Sequence, residues 1–379
     1  MFDNSSSDYD QVCKEVQLNL IGKVVFTALF SILIVCAFFG NLIVAWIIIA
    51  HHSMRTVTNY FILNLALADA LVSIFNVMFL YQYYLTYNWI FGEIFCKFIQ
   101  FVGPLCLTVS ISTHLVICVE RYRGIITPLK PRVTHRTTMF IISCVWLFSL
   151  LFSLPYFVSY EIGPQVECPQ QTACRENWNS VCGEEKAKDC KQLYFLLRFG
   201  FLYLIPLIVM SFLYSVIAKS LWSSKKLGEY CGNYAPQLKS KRKLVIMLII
   251  LVVVFAVTWL PFHFFFILLL FKRFRVIFNH KYALEVYLIL FWFPMSNSMY
   301  NPLIYCMLNN RFRSGFQYVF RFLPCVNWSG GRSDLQQIRS RRSQSMLTTN
   351  SCYIRNGKNS LCLGSSKLVY TSKVNSTEL

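Results

Sequence analysis

Long runs without a charged side chain are the feature that most constrains this sequence. Counting only Asp, Glu, Lys and Arg, the 379-residue chain contains seven such runs, the second interrupted once by Asp69: 24–54, 56–92, 98–119, 137–160, 199–218, 244–271 and 286–310. A helix rises about 1.5 Å per residue, so about 20 residues cross a hydrocarbon core of about 30 Å. Each run is long enough, and 56% of all residues are hydrophobic. The sequence therefore predicts an all-α membrane protein, a bundle of seven transmembrane helices, rather than buried helices of a soluble domain.

Basic residues indicate how the chain is oriented. If the N-terminus is outside, the segments 51–56, 120–136, 219–243 and 308–379 face the cytoplasm and hold 24 of the 36 Lys and Arg residues. The positive-inside rule favours this orientation. The net charge of +19 is then explained by topology and by contact with anionic lipid, not by binding to nucleic acid. Residues 1–10 have neither a basic region nor an apolar core, so we expect no cleavable signal peptide.

The chain divides into three predicted parts. Residues 1–22 form an extracellular tail, 23–322 form the seven-helix domain, and 323–379 form a cytoplasmic tail. From Ser329 onward the tail is rich in Ser, Asn, Gly and Arg and has few large apolar residues, so it is predicted to be disordered. The outer tail contains Asn4-Ser5-Ser6, an acceptor pattern for glycosylation.

A short amphipathic helix is predicted directly after the seventh run. Within 309–322, aromatic residues recur every four positions at Phe312, Phe316 and Phe320, with arginines between them. That spacing places the aromatic rings on one helix face, which is typical of a helix lying on the inner membrane surface. Cys325, just beyond, is a candidate for palmitoylation or an ordinary thiol.

The third run has the composition of a central helix. Between Cys96 and Tyr122 it carries small and polar residues: Gln100, Gly103, Thr108, Ser110, Ser112, Thr113 and His114. Small residues allow helices to approach closely, and hydroxyls form hydrogen bonds between them. We therefore expect other helices to surround this one.

Asp69 is the one carboxylate deep within a run. Its insertion costs on the order of 3 kcal/mol, so it needs partners or a function. Two interpretations stay open: a structural pair with Asn41 in the first run, or an ion-binding or switch role.

One short motif per run, in a fixed order, then identifies a family resemblance. The motifs are Gly40-Asn41, Leu65-Ala66-Leu67-Ala68-Asp69, Glu120-Arg121-Tyr122, Trp146, Pro206 with Tyr214, Trp259-Leu260-Pro261, and Asn301-Pro302-Leu303-Ile304-Tyr305. Together they resemble the rhodopsin-like G-protein-coupled receptors over residues 24–320.

Three further stretches resemble neuropeptide receptors of the tachykinin type. They are 54–61, Trp259 to His263, and 295–313. Two features depart from that group. Glu120 precedes Arg121 where an Asp is usual, and the segment Cys174 to Trp178 looks more like neuropeptide FF or leucokinin receptors.

The resemblance implies roles for particular residues. The switch set is Glu120, Arg121, Tyr122, Tyr214, Phe255, Trp259, Pro261, Asn301, Pro302 and Tyr305. The sodium-pocket set is Asp69, Ser110, Asn297, Ser298 and Asn301, and the peptide-contact set is Asn76, Gln100, His263, Phe266 and Tyr287. Apart from an allosteric sodium ion, no cofactor is expected.

Six cysteines lie in the predicted outer segments, an even number that fits three disulfides. The resemblance implies a disulfide between Cys96 and Cys174. The remaining four cysteines are Cys13, Cys168, Cys182 and Cys190. They either form two disulfides, in one of three possible pairings, or are free thiols.

The functional expectation is a plasma-membrane receptor, not an enzyme. The sequence contains no nucleophile elbow, phosphate loop or HExxH motif. A transporter is disfavoured because it usually shows internal repeats and several intramembrane charges. The resemblance implies a secreted, amidated, tachykinin-like peptide as ligand and a heterotrimeric G protein leading to phospholipase C and calcium, with arrestin and receptor kinases as partners. A ligand of neuropeptide FF, Y or leucokinin type is the alternative.

The last residues predict one more partner. Thr377 stands two residues before the apolar end Leu379, a pattern typical of ligands of PDZ domains. Such a tail adds a strand to a sheet edge of the domain.

Overall fold

The computed structural model describes residues 17–127, 131, 133–165, 168–223, 234–270, 282–323, 326, 351–355 and 359–363. The long helices are α1 (Leu20–Ala50), α2 (Val57–Val72), α3 (Met78–Thr86), α4 (Gly92–Ile126) and α5 (His135–Ser159). They are followed by α6 (Asn179–Cys182), α7 (Ala187–Phe199), α8 (Ile205–Ser223), α9 (Tyr234–Leu270), α10 (Ala283–Leu308) and α11 (Asn310–Val319). A 3₁₀ turn, His52–Met54, connects α1 to α2.

Two of the transmembrane segments are continuous through a π-helical turn. The turn Ser73–Val77 joins α2 to α3, and the turn Gly200–Leu204 joins α7 to α8. The second segment therefore extends over Val57–Thr86 and the fifth over Ala187–Ser223. The fifth helix begins well before its charge-free run, because α7 continues the helix into the polar residues that precede Phe199.

The predicted seven-helix bundle is confirmed, although hydropathy alone finds six of its helices. Among the described residues, six helices are long and apolar enough to cross a membrane. The seventh, α10, has 26 residues, and its polar residues lower its hydropathy: Ser296, Asn297, Ser298 and Asn301 are all buried. Residues that lower the hydropathy of this helix therefore face protein rather than lipid.

Helix α4 is the central element, as its composition predicts. It packs against α2, α5 and α8, and against strand β1 (Tyr160–Pro164). Its buried positions include Gly103, Thr108, Ser110, Thr113 and His114. Helix α5, by contrast, buries little of its length apart from small polar residues, which places most of its surface toward lipid.

A hydrogen-bonded polar chain ties three helices together. Trp146 Nε1 on α5 donates to Asn64 Oδ1 on α2 at 2.8 Å, and Asn64 Nδ2 donates to Thr113 Oγ1 on α4 at 2.8 Å. Each buried polar group has a partner, so these residues contribute to association without leaving an unpaired group in the apolar interior.

A β-hairpin covers one end of the bundle, which we call the outer end. Strand β1 pairs antiparallel with β2 (Thr172–Glu176), in a register that runs from Tyr160 opposite Glu176 to Pro164 opposite Thr172. The disulfide between Cys96 and Cys174 joins β2 to α4, so the hairpin is covalently held over the bundle.

Helix α11 confirms the predicted amphipathic helix. Its Phe312 is fully buried and stacks on Tyr305 at 5.5 Å between ring centroids. A Cβ on Gly315 would lie 2.7 Å from Ile47 Cδ1, so glycine is required where α11 approaches α1.

The chain forms two compact units, Met1–Phe320 and Arg321–Leu379. In the second, β3 (Ser351–Arg355) pairs antiparallel with β4 (Asn359–Leu363). The disorder predicted from Ser329 onward does not hold for these strands. Tyr353 and Ile354 in β3 are residue types that favour strands, and the sequence between the strands contains Asn356-Gly357, a dipeptide that favours hairpin turns.

Candidate functional site

A cavity of about 500 Å³ lies within the bundle and reaches its outer end. Its deepest lining residues include Asp69 and Ser110, and its outermost include the exposed Lys188 and Lys191. A ligand entering from the outer end can therefore reach towards the centre of the bundle. Aromatic rings and a few polar groups line the space, which is the usual character of a ligand site.

Four of the five predicted peptide-contact residues line this cavity: Asn76, Gln100, Phe266 and Tyr287. The fifth, His263, is buried beside the cavity, with its ring 4.6 Å from that of Tyr203 and 5.6 Å from that of Trp259. His263 is therefore not among the lining residues in this structure, but its ring contacts Trp259, which is.

Asn76 is held by a close contact between α4 and the π turn. Its Nδ2 donates to the Ile99 carbonyl at 2.9 Å. A Cβ on Gly103 would lie 2.6 Å from that Nδ2, so the contact requires glycine on α4. Glycine at position 103 is therefore needed to keep the Asn76 amide in its place at the cavity.

The outer wall contains residues that the sequence did not assign to the ligand. They are Tyr156, Tyr160, Glu176, Trp178, Lys188, Lys191, Gln192, Tyr194, Phe195 and Arg198. One signal was present in the sequence: Arg198 stands directly before the charge-free run of the fifth span. Their convergence depends on α7 and the hairpin, whose placement the sequence could not provide.

The predicted sodium-pocket residues gather around Asp69, which is almost fully buried. Ser298 Oγ donates to Asp69 Oδ1 at 3.0 Å, Ser110 Oγ lies 3.4 Å from the same oxygen, and Asn301 Nδ2 donates to Oδ2 at 2.6 Å. Asn297 lines the same cavity. The structural pair between Asp69 and Asn41, one of the two interpretations, is not formed: Asn41 Nδ2 donates instead to the carbonyls of Ala37 and Ser298, because the Asp69 oxygens already have donors.

This donor set fits a monovalent cation. The carboxylate and two hydroxyls supply oxygen ligands of a hard cation, and one negative charge matches one positive charge. No group of three or more His, Cys, Asp or Glu side chains that could hold a metal occurs within the described ranges. The arrangement therefore favours a singly charged ion over a divalent one.

At the other end of α4, Arg121 is tied to its neighbour. Arg121 Nε donates to Glu120 Oε2 at 2.7 Å, and Thr58 Oγ1 on α2 donates to the same oxygen at 3.1 Å. Tyr122 packs against the hydrophobic core. The predicted resting contact between Glu120 and Arg121 is thus present.

The two switch tyrosines lie near this end without binding Arg121. Tyr214 lies in the same hydrophobic cluster as Cys118. The buried Tyr305 hydroxyl has no hydrogen-bond partner among the described residues. Their predicted closure around Arg121 belongs to another conformation and stays a prediction.

A compact aromatic cluster forms part of the cavity wall. Ile111 on α4 packs with Phe255 and Trp259 on α9, and Tyr203 joins them from the second π turn. Pro261 lies within α9, two residues beyond Trp259, and Pro302 lies within α10 beside Asn301. Proline removes a helical hydrogen bond, so both helices have a built-in site for bending.

The outer cysteines form more than the implied disulfide. Cys96–Cys174 is confirmed, and Cys182–Cys190 is a second disulfide. Cys168 is also disulfide-bonded. Cys13 lies outside the described residues, so the sequence prediction that leaves its partner open is not tested.

Polar contacts also fasten the hairpin to the segment that follows it. Glu161 accepts hydrogen bonds from Asn177 Nδ2 at 2.9 Å and from Arg175 Nη2 at 3.0 Å. The hydrogen bond from Asn177 contributes most, and the one from Arg175 comes second; together they hold the pKa of Glu161 below its usual value. The predicted modification sites Asn4 and Cys325 and the end Thr377 to Leu379 lie outside the described residues.

Comparison with known proteins agrees with this geometry. Residues 40–305 match the family model "7 transmembrane receptor (rhodopsin family)". The chain is 41% identical over 302 residues to the tachykinin-like peptides receptor 99D of Drosophila melanogaster, covering 79% of this chain and 57% of that protein. It is 39% identical to the neuromedin-K receptor of Oryctolagus cuniculus (79% and 62% covered) and 38% identical to the substance-P receptor of Aquarana catesbeiana (83% and 74% covered).

The match thus spans somewhat less than two thirds of the first two relatives. The residues matched by the family model, 40–305, include the Asp69 cluster, the Glu120–Arg121 pair and the helix prolines Pro261 and Pro302. The chain belongs to the rhodopsin family of seven-transmembrane receptors.

Proposed function

We propose that this protein is a plasma-membrane receptor, with its N-terminus outside, for a secreted, amidated, tachykinin-like neuropeptide. The observation that carries the proposal is the cavity, which is open at the hairpin-covered end and lined by four predicted peptide-contact residues. The named tachykinin, neuromedin-K and substance-P receptors among the relatives support the same ligand class. The signal passes through a heterotrimeric G protein to phospholipase C and calcium.

The test is calcium imaging of cells that express the receptor, challenged with a panel of amidated peptides and the same peptides as free acids. We expect a dose-dependent response to at least one amidated peptide and none in untransfected cells. Silence to the entire panel, with surface expression verified by antibody, would contradict the ligand class.

A second ligand class has one observation in its favour. The segment Cys174 to Trp178, which resembles neuropeptide FF and leucokinin receptors, ends in Trp178, and this side chain lines the cavity. The panel therefore includes peptides of those types. A response confined to them would replace the tachykinin assignment and leave the receptor class intact.

The proposed switch starts from the resting contacts at the inner end. Release of Arg121 from Glu120 and Thr58 frees the guanidinium for the G protein, and bending of α9 at Pro261 opens space beside it. Arg121→Gln should retain peptide binding and lose the calcium response. Loss of peptide binding at normal surface expression would contradict a role limited to coupling.

Sodium bound at Asp69 is the proposed allosteric regulator. Support comes from the buried carboxylate and the hydroxyls of Ser110 and Ser298 that surround it. An ion that binds the resting state alone shifts the equilibrium away from the agonist-bound state. Sodium chloride should thus weaken agonist binding relative to choline chloride at equal ionic strength, and Asp69→Asn should remove the difference. An unchanged sodium effect in the variant would refute this site.

Further partners are proposed from the sequence pattern and the family. Arrestin and receptor kinases bind the cytoplasmic side, the inner leaflet binds α11 with Cys325 as its palmitoylation site, and Asn4 carries a glycan. A PDZ domain binds Thr377 to Leu379. A peptide of residues 370–379 should retain PDZ proteins from membrane lysate, and the peptide lacking Leu379 should not; equal recovery by both would show that the end is inert.

A further inference from the structure

Arg198 brings an unusual charge to the cavity wall. It lies on α7 and lines the cavity. Its Nη1 donates to the Tyr156 hydroxyl, and its guanidinium carbon lies 4.9 Å from the centroid of the Tyr156 ring. The Nε atom is buried and has no hydrogen-bond partner among the described residues. One edge of the guanidinium is thus fixed by the protein, while a donor remains unused.

No carboxylate in the described part of the chain neutralises this cation. Glu176 is the acidic residue that lines the outer wall within the described part of the chain, and it has other partners: its Oε1 accepts from the Tyr160 hydroxyl at 3.1 Å and its Oε2 pairs with Lys191. It forms no ion pair with Arg198 among the described residues. Since a partly buried charge without a counter-charge carries a desolvation cost, a carboxylate from outside the chain would stabilise Arg198.

A second unused donor lines the same part of the cavity. Trp178 Nε1 is buried without a hydrogen-bond partner within the described residues. Its ring lies 5.3 Å from that of Tyr194 and 6.4 Å from that of Tyr156, between centroids. Lys188 adds another positive charge at the cavity mouth. The outer wall is therefore rich in donors and has an excess of positive charge.

We propose that Arg198 binds a carboxylate of the ligand, with the Trp178 indole as a second donor. A guanidinium is the side chain best suited to a carboxylate because its planar N–H groups match the two oxygens. The inference rests on the proposed function only in assigning that carboxylate to a peptide. Within an amidated peptide the carboxylate belongs to an Asp or Glu side chain, because the C-terminus carries no charge.

The test uses small probes, so that it does not depend on knowing the peptide. Purified receptor in lipid nanodiscs is titrated with N-acetylaspartate amide and with N-acetylasparagine amide, and thermal unfolding is measured. A second pair, N-acetylleucine and its amide, presents a terminal carboxylate instead. We expect each acid to bind about 10- to 100-fold more tightly than its neutral partner. The stronger of the two acids identifies the source of the carboxylate.

The variants decide whether Arg198 is responsible. Arg198→Gln should abolish the preference for acids, and Arg198→Lys should retain part of it. The matched control is Lys186→Gln, at an exposed basic residue that precedes α7 and is not among the cavity-lining residues, and it should leave the preference largely unchanged. Equal binding of acid and neutral probes to the wild-type receptor, or a full preference in Arg198→Gln, would overturn the proposal. If Arg198→Gln does not fold, Arg198→Lys and Trp178→Phe provide the readout, and an unchanged preference in both would have the same consequence.

The peptide assay separates this inference from the proposed function. Once an amidated agonist containing Asp or Glu is found, replacing that residue by Asn or Gln should lower potency about 10- to 100-fold in the wild type and little in Arg198→Gln. If no peptide in the panel activates the receptor but the wild type still prefers the acid probes, the peptide ligand is refuted and the carboxylate site stands. An agonist whose potency ignores the substitution would refute the site and leave the ligand class standing.

Discussion

Gly103→Ala should destabilise the receptor although alanine is the better helix former. Gly103 lies within α4, and a Cβ there would stand 2.6 Å from Asn76 Nδ2, 2.9 Å from its Cγ and 3.1 Å from its Oδ1. Neighbouring atoms do not tolerate contacts this short, so the Asn76 amide has to move. Its movement breaks the hydrogen bond to the Ile99 carbonyl.

The magnitude follows from two opposing contributions. An amide left unpaired in a buried site costs about 1–3 kcal/mol. Replacing glycine by alanine inside a helix contributes about 0.5–1 kcal/mol of stability. The variant should therefore lose up to about 2.5 kcal/mol, the difference between the larger cost and the smaller gain.

Gly124→Ala is a matched control on the same helix. A Cβ at Gly124 meets no atom within 4 Å, so the variant should show the helix-propensity gain alone. Thermal unfolding of both purified variants, read by a thiol-reactive or intrinsic fluorescence probe, should give midpoints on opposite sides of the wild type. Their difference should amount to about 1–3 kcal/mol, the cost of the unpaired amide.

Removal of the Asn76 side chain provides a second check. If the clash with the amide is the cause, Gly103→Ala should cost much less in an Asn76→Ala background, because contacting residues couple in double-mutant cycles. A Gly103→Ala variant as stable as Gly124→Ala, or additive effects of Gly103→Ala and Asn76→Ala, would refute the reasoning.

Three further outcomes follow from contacts outside the cavity. Trp146→Phe should lower stability by about 0.6–1.7 kcal/mol in thermal unfolding, since it leaves the Asn64 amide oxygen unpaired; an unchanged midpoint would contradict this. Because the folded pKa of Glu161 is lowered, its contribution is present above the unfolded pKa and lost as the pH falls through the folded one. The protection factors of the hairpin amides, which remove the slowing of intrinsic exchange in acid, should then fall as the pH is lowered for the wild type and not for Glu161→Gln. Replacing Cys182 and Cys190 by Ser should cost about 2–3 kcal/mol through loop entropy, seen as faster proteolysis between them.

The sequence could predict the parts of this receptor that depend on local pattern. The charge-free runs give the helices, and four-residue aromatic spacing gives α11. The Asp69 cluster was also predictable, because Asp69 and Asn301 belong to motifs that the family shares and the resemblance implied Ser110, Asn297 and Ser298 as further members. In the structure these motifs meet at hydrogen-bond distance.

The outer wall of the cavity could not be predicted in the same way. Arg198 and Trp178 lie on a helix and a loop whose mutual placement depends on the hairpin and on its disulfide to α4. The pairing of Asn41 with Asp69, one of the two interpretations, was wrong because sequence order does not show that Asn41 Nδ2 reaches the Ser298 carbonyl. Tertiary geometry decides such contacts, and a linear pattern does not contain it.

Each of the two π turns sets how far the outer part of its helix is rotated relative to the inner part. A π turn accommodates one extra residue, and one residue corresponds to about 100° around a helix axis. Ser73–Val77 separates Asp69 from the outer part of its segment, and Gly200–Leu204 separates Tyr214 from Arg198. Insertion or deletion of a single residue at either turn would thus rotate the ligand-facing side chains as a group and leave the signalling half in register. Ligand preference can in this way diverge in one discrete step between receptors that share the same switch.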